Sequence, residues 1–354
     1  MKNNIEQLRT KLEEKGIDAI VLTSPVSHKY FTRFDNGDAT LLITKDNAYA
    51  YEDFRYTEVA NKMLSGIFTV IQPEKPISSY INEVIEKEGI KKLGIENYDL
   101  SLFIYEKFIK KLNAEYVNVD SMISDMREVK APYEIEKIAI AQEITDAAFS
   151  HILKIIKPTM TENDVAAELE YFMRKNGAQD KSFETIAVSG KKSSMPHGVP
   201  SDTKLEKGFL TMDFGALYDG YHADMTRTVC IGKATKEMKD LYNTVLRAQL
   251  SALEYIKDGL VCASVDKVAR DIIDEKYEGC FGHSLGHGVG LEIHEEPRLS
   301  QKCDKILQIG NVVTVEPGIY VAGKFGCRIE DMVLIKEGGI RNFTKSPKEL
   351  IEIY

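Results

Sequence analysis

The feature that most constrains this fold is the dipeptide Asp219-Gly220, which lies between two strand-like arms. Asp-Gly is typical of a two-residue β-hairpin turn, because both residues tolerate the left-handed backbone conformation that such a turn requires. Tyr218 and Tyr221 then pair across the turn. The arms carry apolar residues that predict a buried hairpin: Met212, Phe214, Ala216 and Val229.

This pairing places two acids on one face of the hairpin. Asp213 lies opposite Thr226, and Asp224 is the diagonal neighbour of Asp213. Diagonal neighbours stand about 7–8 Å apart at Cα, so both carboxylates can reach a shared centre. Two acids that face each other without a cation repel and shift their pKa values, which favours a metal ion over a solvent-facing acidic pair.

Histidines are concentrated in the second half of the chain, where five of the seven lie between His197 and His294. His283 and His287 are four residues apart, and His294 follows seven residues after His287. Glycines between them are expected to let the backbone approach a ligand closely. The same glycines would break a helix, so this is not the His-Glu-x-x-His helix of a zinc protease.

Two further acids, Glu316 and Glu330, interrupt apolar strand-like runs. A carboxylate buried in such a run needs a partner charge. Two kinds of partner stay open at this point: structural ion pairs with Arg227 and Arg328, or a metal ion.

The first third of the chain alternates helix-like and strand-like patterns, which predicts an α/β domain. A charged connector follows from Met126 to Tyr133, with Pro132 suited to the first turn of a helix that runs to about Ile156. We therefore expect domains at 1–127 and 128–354. In the first domain, strands are predicted at Ala19–Leu22, Thr40–Ile43, Ile67–Ile71, Lys92–Ile95 and Tyr116–Val119, and helices at Ile5–Leu12, Tyr56–Met63, Ile77–Glu86 and Leu102–Leu112.

The second domain begins with that helix and a second one capped by Thr161 and Asp164. Beyond Ser182 the sequence changes to extended segments, interrupted by helical stretches near Glu237–Tyr255 and Ser264–Glu275. This pattern predicts a mixed α+β domain.

Composition excludes several classes of function. The 46 basic and 55 acidic residues give a net charge of −9 and a pI near 5.5, which disfavours nucleic acid or an anionic membrane as a partner. No apolar run could cross a bilayer and the N-terminus does not resemble a signal peptide, so a cytoplasmic location is expected. Five cysteines without a close pair predict reduced thiols and no zinc knuckle.

Together these motifs resemble the pita-bread metallopeptidases, the family that holds methionine aminopeptidase, aminopeptidase P and prolidase. The matching features are two Asp eleven residues apart, Gly-His-Gly-Val-Gly, Val-Glu-Pro-Gly and Arg-Ile-Glu-Asp. The resemblance implies a pita-bread catalytic domain with a dinuclear site on five ligands: Asp213, Asp224, His287, Glu316 and Glu330.

The N-terminal part resembles the creatinase-type domain of the proline-specific members of that family. The resemblance covers Ala19–Ala60, with Leu-Thr-Ser-Pro and Asp53-Phe-Arg-Tyr. One departure is Arg33, where relatives commonly have glycine. Methionine aminopeptidases generally lack this domain, which disfavours that activity.

The resemblance also implies two divalent ions, usually manganese, cobalt or zinc, and a homodimer. Four carboxylates and one imidazole, without a thiolate, suit Mn²⁺ best. Paired ions acidify water and polarise the scissile carbonyl. By the same resemblance, Glu316 is both a ligand and a proton shuttle, and His197 and His294 contact the substrate and the tetrahedral intermediate. His283 is the additional histidine of the proline-specific branch, and Arg328 orients Glu330 or Asp224.

The leading hypothesis is hydrolysis of the bond between an N-terminal residue and proline. Arg298 matches the position where prolidases of similar length keep an arginine for the terminal carboxylate of a dipeptide. This favours an Xaa-Pro dipeptidase, with an aminopeptidase P that acts on longer peptides as the alternative, since Arg298 could also be a rim residue. Two further alternatives are a metal-free scaffold with this fold and a metal-free creatinase-like hydrolase.

Overall fold

Two units make up the chain, Met1–Met126 and Arg127–Tyr354, in a computed structural model that describes residues 1–34 and 39–354. We describe each unit by itself. Within the described ranges, none of the helices is long and apolar enough to cross a membrane.

The first unit is built on a mixed sheet whose strand order is β4-β3-β2-β1-β5-β6. Strand β1 pairs antiparallel with β2 and parallel with β5. The strands are β1 (Ala19–Leu22), β2 (Thr40–Thr44), β3 (Ala48–Tyr51), β4 (Thr69–Ile71), β5 (Lys92–Ile95) and β6 (Glu115–Asn118). The helices are α1 (Lys2–Glu14), α2 (Pro25–Thr32), α3 (Phe54–Leu64), α4 (Ile77–Glu88), α5 (Leu102–Lys107) and α6 (Asp120–Glu128), with a 3₁₀ turn at Ile109–Lys111.

The predicted α/β character is confirmed, and β1 and β5 have the predicted bounds. Three elements were not predicted, α2, β3 and α6. The single helix predicted over Leu102–Leu112 is wrong in its second half, because α5 ends at Lys107 and a 3₁₀ turn follows. The predicted connector also begins too early. Helix α6 continues to Glu128, since Met122, Ile123 and Met126 form a buried apolar stripe at helical spacing.

Arg33 ends α2 in the left-handed backbone conformation, with φ +57°. Glycine is the residue favoured at such a helix end, because any side chain crowds the following carbonyl there. The departure from the family pattern therefore falls at a position where glycine has a physical advantage.

The second unit contains two helix pairs and several sheets, which are antiparallel except for the parallel pairing of the strands Met225–Ile231 and Glu352–Ile353. The helices are α7 (Pro132–Ile155), α8 (Glu162–Lys175), α9 (Lys236–Tyr255) and α10 (Cys262–Tyr277), with a 3₁₀ turn at Gly190–Ser194. The strands are β7 (Asp180–Lys181), β8 (Ile186–Ser189), β9 (Gly208–Phe214), β10 (Ala216–Tyr218), β11 (Tyr221–His222), β12 (Met225–Ile231), β13 (Gly286–Gly288), β14 (Glu295–Leu299), β15 (Val312–Val315), β16 (Gly318–Val321), β17 (Phe325–Arg328), β18 (Asp331–Lys336), β19 (Gly339–Asn342) and β20 (Glu352–Ile353). As predicted, α7 begins at Pro132, and Thr161 and Asp164 exchange the hydrogen bonds of a capping box at α8.

Each helix pair packs against its own sheet. Helices α7 and α8 cover the sheet β20-β12-β9-β8, where Phe149 and Leu169 pack in one apolar cluster with Met212. Helices α9 and α10 cover the sheet β14-β13-β15-β18-β19, where Leu241 and Val313 belong to a second cluster. The remaining strands form the sheet β11-β10-β7 and the pair β16-β17.

The hairpin has the predicted register. Tyr218 pairs with Tyr221, and Asp213 pairs with Thr226. Gly215 is required where the arms bend, because a Cβ there would lie 1.8 Å from the carbonyl oxygen of Ala223. Asp213 and Asp224 are thereby brought to one side of the hairpin.

Candidate active site

One cavity of about 490 Å³ is lined by the acids and histidines that the sequence motifs predicted as site residues. Each of the five predicted ligands lies at or next to a strand, so the strands position their side chains. All five predicted ligands line the cavity: Asp213 in β9, Asp224 before β12, His287 in β13, Glu316 after β15 and Glu330 before β18.

Three of the predicted ligands, Asp224, His287 and Glu330, are buried and offer ligand atoms that all lie within 4.8 Å of one another. The Nε2 atom of His287 is 3.5 Å from Oδ2 of Asp224 and 3.3 Å from Oε1 of Glu316. Besides burial, the carboxylate of Asp213 lies close enough to Asp224 to raise the pKa of the Asp224 carboxyl. All five side chains therefore face a common point.

The acids of this cluster are poorly neutralised by protein groups. Burial raises the pKa of Asp224 and Glu330 well above the usual range, and the neighbouring carboxylates raise it further. Burial also raises the pKa of Glu316, although His287 and Arg328 oppose this. Oδ1 of Asp213 and Oε1 of Glu330 are buried and have no hydrogen-bond partner in the part of the chain that the structure describes. Buried acids in this condition need a cation, and hard oxygen donors with one imidazole suit a divalent metal ion.

A chain of hydrogen bonds orients several of these ligands from behind. Arg328 donates from Nη2 to Oδ2 of Asp213 and from Nε, over 3.0 Å, to Oγ1 of Thr226. Thr226 Oγ1 in turn donates to Oε2 of Glu330 over 2.7 Å. Arg328 therefore binds Asp213 directly and reaches Glu330 through Thr226; its role in orienting Glu330 or Asp224 stays a prediction.

Thr314 performs a similar task for two other side chains. Its Oγ1 accepts from the backbone N–H of His287 over 3.0 Å and donates to Oε1 of Glu316 over 3.1 Å. His287 Nδ1 lies 3.0 Å from the carbonyl oxygen of Gly288, which assigns the proton to Nδ1 and leaves Nε2 facing the acids.

The other predicted histidines, His197, His283 and His294, line the same cavity. The ring of His294 lies 4.4 Å from that of His287 and nearly perpendicular to it. Burial lowers the pKa of both His283 and His294 to about 4, with Arg328 adding to the effect on His283 and His287 to that on His294. Both rings are therefore neutral at pH 7, and each offers one donor and one acceptor nitrogen.

The fifth histidine of that stretch, His222, is not among the residues that line the cavity. Its Nδ1 lies 2.8 Å from Oγ of Ser182. Four of the five histidines that cluster in the sequence therefore line the cavity.

Arg298 also lines the cavity, at the exposed end. It forms no hydrogen bond or ion pair with another residue in ranges 1–34 and 39–354 of the chain. A guanidinium in this position keeps its paired donors for an anionic group that enters the cavity.

Two of the glycines between the histidines lie where strands pack closely. A Cβ on Gly286 would lie 2.0 Å from the carbonyl oxygen of Thr314, and one on Gly288 would lie 2.3 Å from that of Glu296. Neighbouring strands therefore require glycine at both positions, and the close approach of a ligand to this backbone stays a prediction.

Sequence reasoning missed the supporting roles of Thr226, Thr314 and Tyr320. The Tyr320 hydroxyl lies 3.1 Å from His283 Nε2 and accepts from Arg328 Nη1 over 2.6 Å. A polar residue inside the apolar run Val312–Val315 was an available signal for Thr314, and the hairpin register already placed Thr226 beside the acids. No local signal marks Tyr320, because its partners are distant in sequence.

Comparisons with known proteins agree with this geometry. The model of metallopeptidase family M24 matches residues 136–337, and that of the Creatinase/Prolidase N-terminal domain matches residues 4–129. The chain is 39% identical to an Xaa-Pro dipeptidase of Pyrococcus furiosus, over 99% of this chain and 100% of that protein.

Solved structures give the same result. A structure described as the Xaa-Pro dipeptidase from Bacillus anthracis is 42% identical, with a TM-score of 0.96 and 99% of each chain covered. A structure described as the X-Pro aminopeptidase from Thermotoga maritima is 38% identical, with a TM-score of 0.90 and 99% of each chain covered.

The family description implies divalent metal ions, and the partnerless buried oxygens of Asp213 and Glu330 fit that requirement. The predicted fold, a creatinase-type α/β domain followed by a pita-bread catalytic domain, is confirmed by the same matches. This chain is a peptidase that belongs to metallopeptidase family M24 and carries a Creatinase/Prolidase N-terminal domain.

Proposed function

We propose that this peptidase is an Xaa-Pro dipeptidase, which hydrolyses the bond between an N-terminal residue and proline. One observation carries the choice of substrate: the acid cluster shares its cavity with Arg298, whose guanidinium has no partner among the described residues. The full-length similarity to proteins described as Xaa-Pro dipeptidases supports it.

The proposal assigns two divalent ions, Mn²⁺ by preference and Co²⁺ or Zn²⁺ otherwise, to a single set of ligands. These are Asp213, Asp224, His287, Glu316 and Glu330. Bound ions would supply an acidified water and polarisation of the scissile carbonyl. The donor set supports Mn²⁺, since it is rich in carboxylate oxygen and has no thiolate.

The remaining roles fall to side chains that hold or move protons. Glu316 is proposed to hold and pass on a proton, and burial, which raises the pKa of its carboxyl, supports this role. His294 and His197 face the cavity from two different segments and can contact the substrate and the tetrahedral oxygen. His283 Nδ1 lies 2.9 Å from the carbonyl oxygen of Ser284 and therefore carries the ring proton, so Nε2 accepts a hydrogen bond from the Tyr320 hydroxyl.

Arg298 would hold the terminal carboxylate of the dipeptide by two parallel hydrogen bonds. In a tripeptide that carboxylate lies one residue farther from the scissile bond. A dipeptidase of this kind therefore prefers Xaa-Pro to Xaa-Pro-Xaa.

The test is an assay of Ala-Pro against Ala-Pro-Ala with added Mn²⁺. We expect faster hydrolysis of Ala-Pro. Preference for the tripeptide would favour the second candidate, an aminopeptidase P, to which the similarity with the Thermotoga maritima structure lends support.

Metal analysis of the purified protein separates both enzymes from the alternative of a metal-free scaffold. A protein without bound metal and without peptidase activity after metal addition would favour the scaffold. We also propose domain limits at 1–127 and 128–354, a homodimer, and a cytoplasmic location; five free cysteines support that location.

A further inference from the structure

A buried carboxylate at the start of α8 binds both ends of the segment that carries His197. Glu162 is 1% exposed and is the first residue of that helix. Its Oε1 accepts from the backbone N–H of Ser189 over 2.8 Å and from the Ser189 hydroxyl over 3.3 Å. Its Oε2 accepts from the backbone N–H of Ser201 over 3.2 Å and from the Ser201 hydroxyl over 2.8 Å. One side chain thus joins residues 189 and 201.

A lysine inside the same segment completes these contacts. Lys192 donates from Nζ to Oε2 of Glu162 over 2.6 Å and to the Ser201 hydroxyl over 3.1 Å. Hydrogen bonds to an ionised acceptor are stronger than neutral ones, so the closure of the segment depends on the charge of Glu162.

The segment between the two ends reaches the cavity. Pro196 and His197 line it, and the Pro196 carbonyl oxygen lies 3.4 Å from Nη1 of Arg328. His197 itself is exposed, so packing does not fix its ring. Its position in the cavity depends on how the segment is held, both at its two ends and at the buried Ser193, whose Oγ accepts from the backbone N–H of Gly326 over 3.0 Å.

We propose that Glu162 is a positioning residue for catalysis, which closes the segment Ser189–Ser201 so that His197 faces the substrate. The inference rests on the proposed role of His197 in contacting the substrate and the tetrahedral intermediate. Glu162 does not touch the cavity residues that bind the substrate, so it acts only through the segment.

The competing explanation is that Glu162 only stabilises the N-terminus of α8. An acid in the first turn of a helix is favourable there. The chain provides a matched control, because Asp164 lies in the same turn, accepts the Thr161 backbone N–H over 2.8 Å and does not contact the segment. Asp164→Asn removes a negative charge from the first turn of the helix and leaves the Glu162 contacts in place.

The first test measures the segment without using activity. Hydrogen exchange of the amides within residues 189–201 is compared among the wild type, Glu162→Gln and Asp164→Asn, each loaded with Mn²⁺. We expect exchange to rise by about tenfold or more in Glu162→Gln and to stay near the wild-type rate in Asp164→Asn. Equal exchange in the two variants would overturn the proposal.

The second test is kinetic and uses Ala-Pro as substrate. Glu162→Gln is expected to lower kcat by about 10- to 100-fold with little change in KM and in metal content. In a His197→Ala background the same substitution should cost less than about twofold, since the residue it positions is gone. Equal losses with and without His197 would show that Glu162 acts elsewhere.

A milder variant covers the case in which Glu162→Gln does not fold. Ser189→Ala combined with Ser201→Ala removes two of the hydroxyl donors and keeps the charge, so a smaller loss in the same direction is expected. If His197→Ala retains full activity, the proposed role of His197 is wrong, and the exchange experiment alone decides whether Glu162 holds the segment.

Discussion

At the scale of single residues, the two arginines that could neutralise the acids behave differently. Arg227 is buried and turns away from the cavity, where it donates to Oδ1 of Asp331 over 2.8 Å. Arg328 binds Asp213, and no protein cation in the described residues reaches Oε1 of Glu330. Ion pairs with Arg227 and Arg328, the alternative left open by the sequence, therefore leave part of the negative charge of the cluster uncompensated. This favours a metal ion.

Removal of a single acid should release metal. Asp213→Ala and Glu330→Ala are each expected to lower the bound metal, measured by elemental analysis, and to reduce activity by at least about 100-fold, because the remaining acids repel one another without their cation. Asp219→Asn is the control, since this acid lies in the turn of the same hairpin and outside the cavity. A fully active Asp213→Ala with its metal retained would contradict the ligand assignment.

Arg298 provides a prediction about specificity. Arg298→Ala should raise KM for Ala-Pro by roughly tenfold to a hundredfold, because one charge-assisted contact contributes about 1.5–3 kcal/mol in both ground and transition states. Ala-Pro-Ala should be affected less, and Arg298→Lys should recover little, since an ammonium cannot form the paired contact. Equal losses for both peptides would favour the aminopeptidase.

At the scale of elements, sequence patterns predicted the structure correctly where a local rule determines which residues pair or form a cap. The turn at Asp219-Gly220 sets the pairing of Asp213 with Thr226 because antiparallel register propagates from a turn. Capping of α8 by Thr161 is equally local. The bond between Tyr320 and His283, and the path from Arg328 through Thr226, depend on how separate strands meet, and no local pattern encodes that.

One loop next to the site has a predictable response to pH. Glu295 follows His294 and accepts hydrogen bonds from Arg127 and, over 3.0 Å each, from Lys130 Nζ and the backbone N–H of Glu292. Burial raises the pKa of Glu295, but Lys130 and Arg127 outweigh it and lower the pKa to about 2 from an ordinary value of 4.5.

Because the folded pKa lies below the unfolded one, the ionised carboxylate stabilises the fold above about pH 4.5, and this contribution disappears as the pH falls towards 2. Glu295→Gln should therefore lower the free energy of unfolding by about 3 kcal/mol at pH 7, and by progressively less between pH 4.5 and 3. Urea unfolding of both proteins across this range is the measurement. A difference independent of pH would mean that the charge of Glu295 is not what stabilises the loop.

At the scale of the whole molecule, the site belongs to neither helix-backed sheet alone. Asp213 comes from the sheet covered by α7 and α8, whereas His287 comes from the sheet covered by α9 and α10. Both halves of the catalytic unit must therefore be folded before the cavity exists. The family match over residues 136–337 spans both halves.

The proposed metal ligands lie far apart in the sequence. Because of this, the melting temperature of the protein should depend on the concentration of free metal ion. Asp213 and Glu330 are 117 positions apart, so an unfolded chain does not present the cluster and the ion binds the folded state alone. By mass action, each tenfold rise in free Mn²⁺ above its dissociation constant should add about 1.4 kcal/mol per site, or about 2–3 °C in Tm. Calorimetry at increasing Mn²⁺ would measure this slope, and Asp213→Ala should flatten it. The melting temperature of this peptidase would then report the free ion concentration around it.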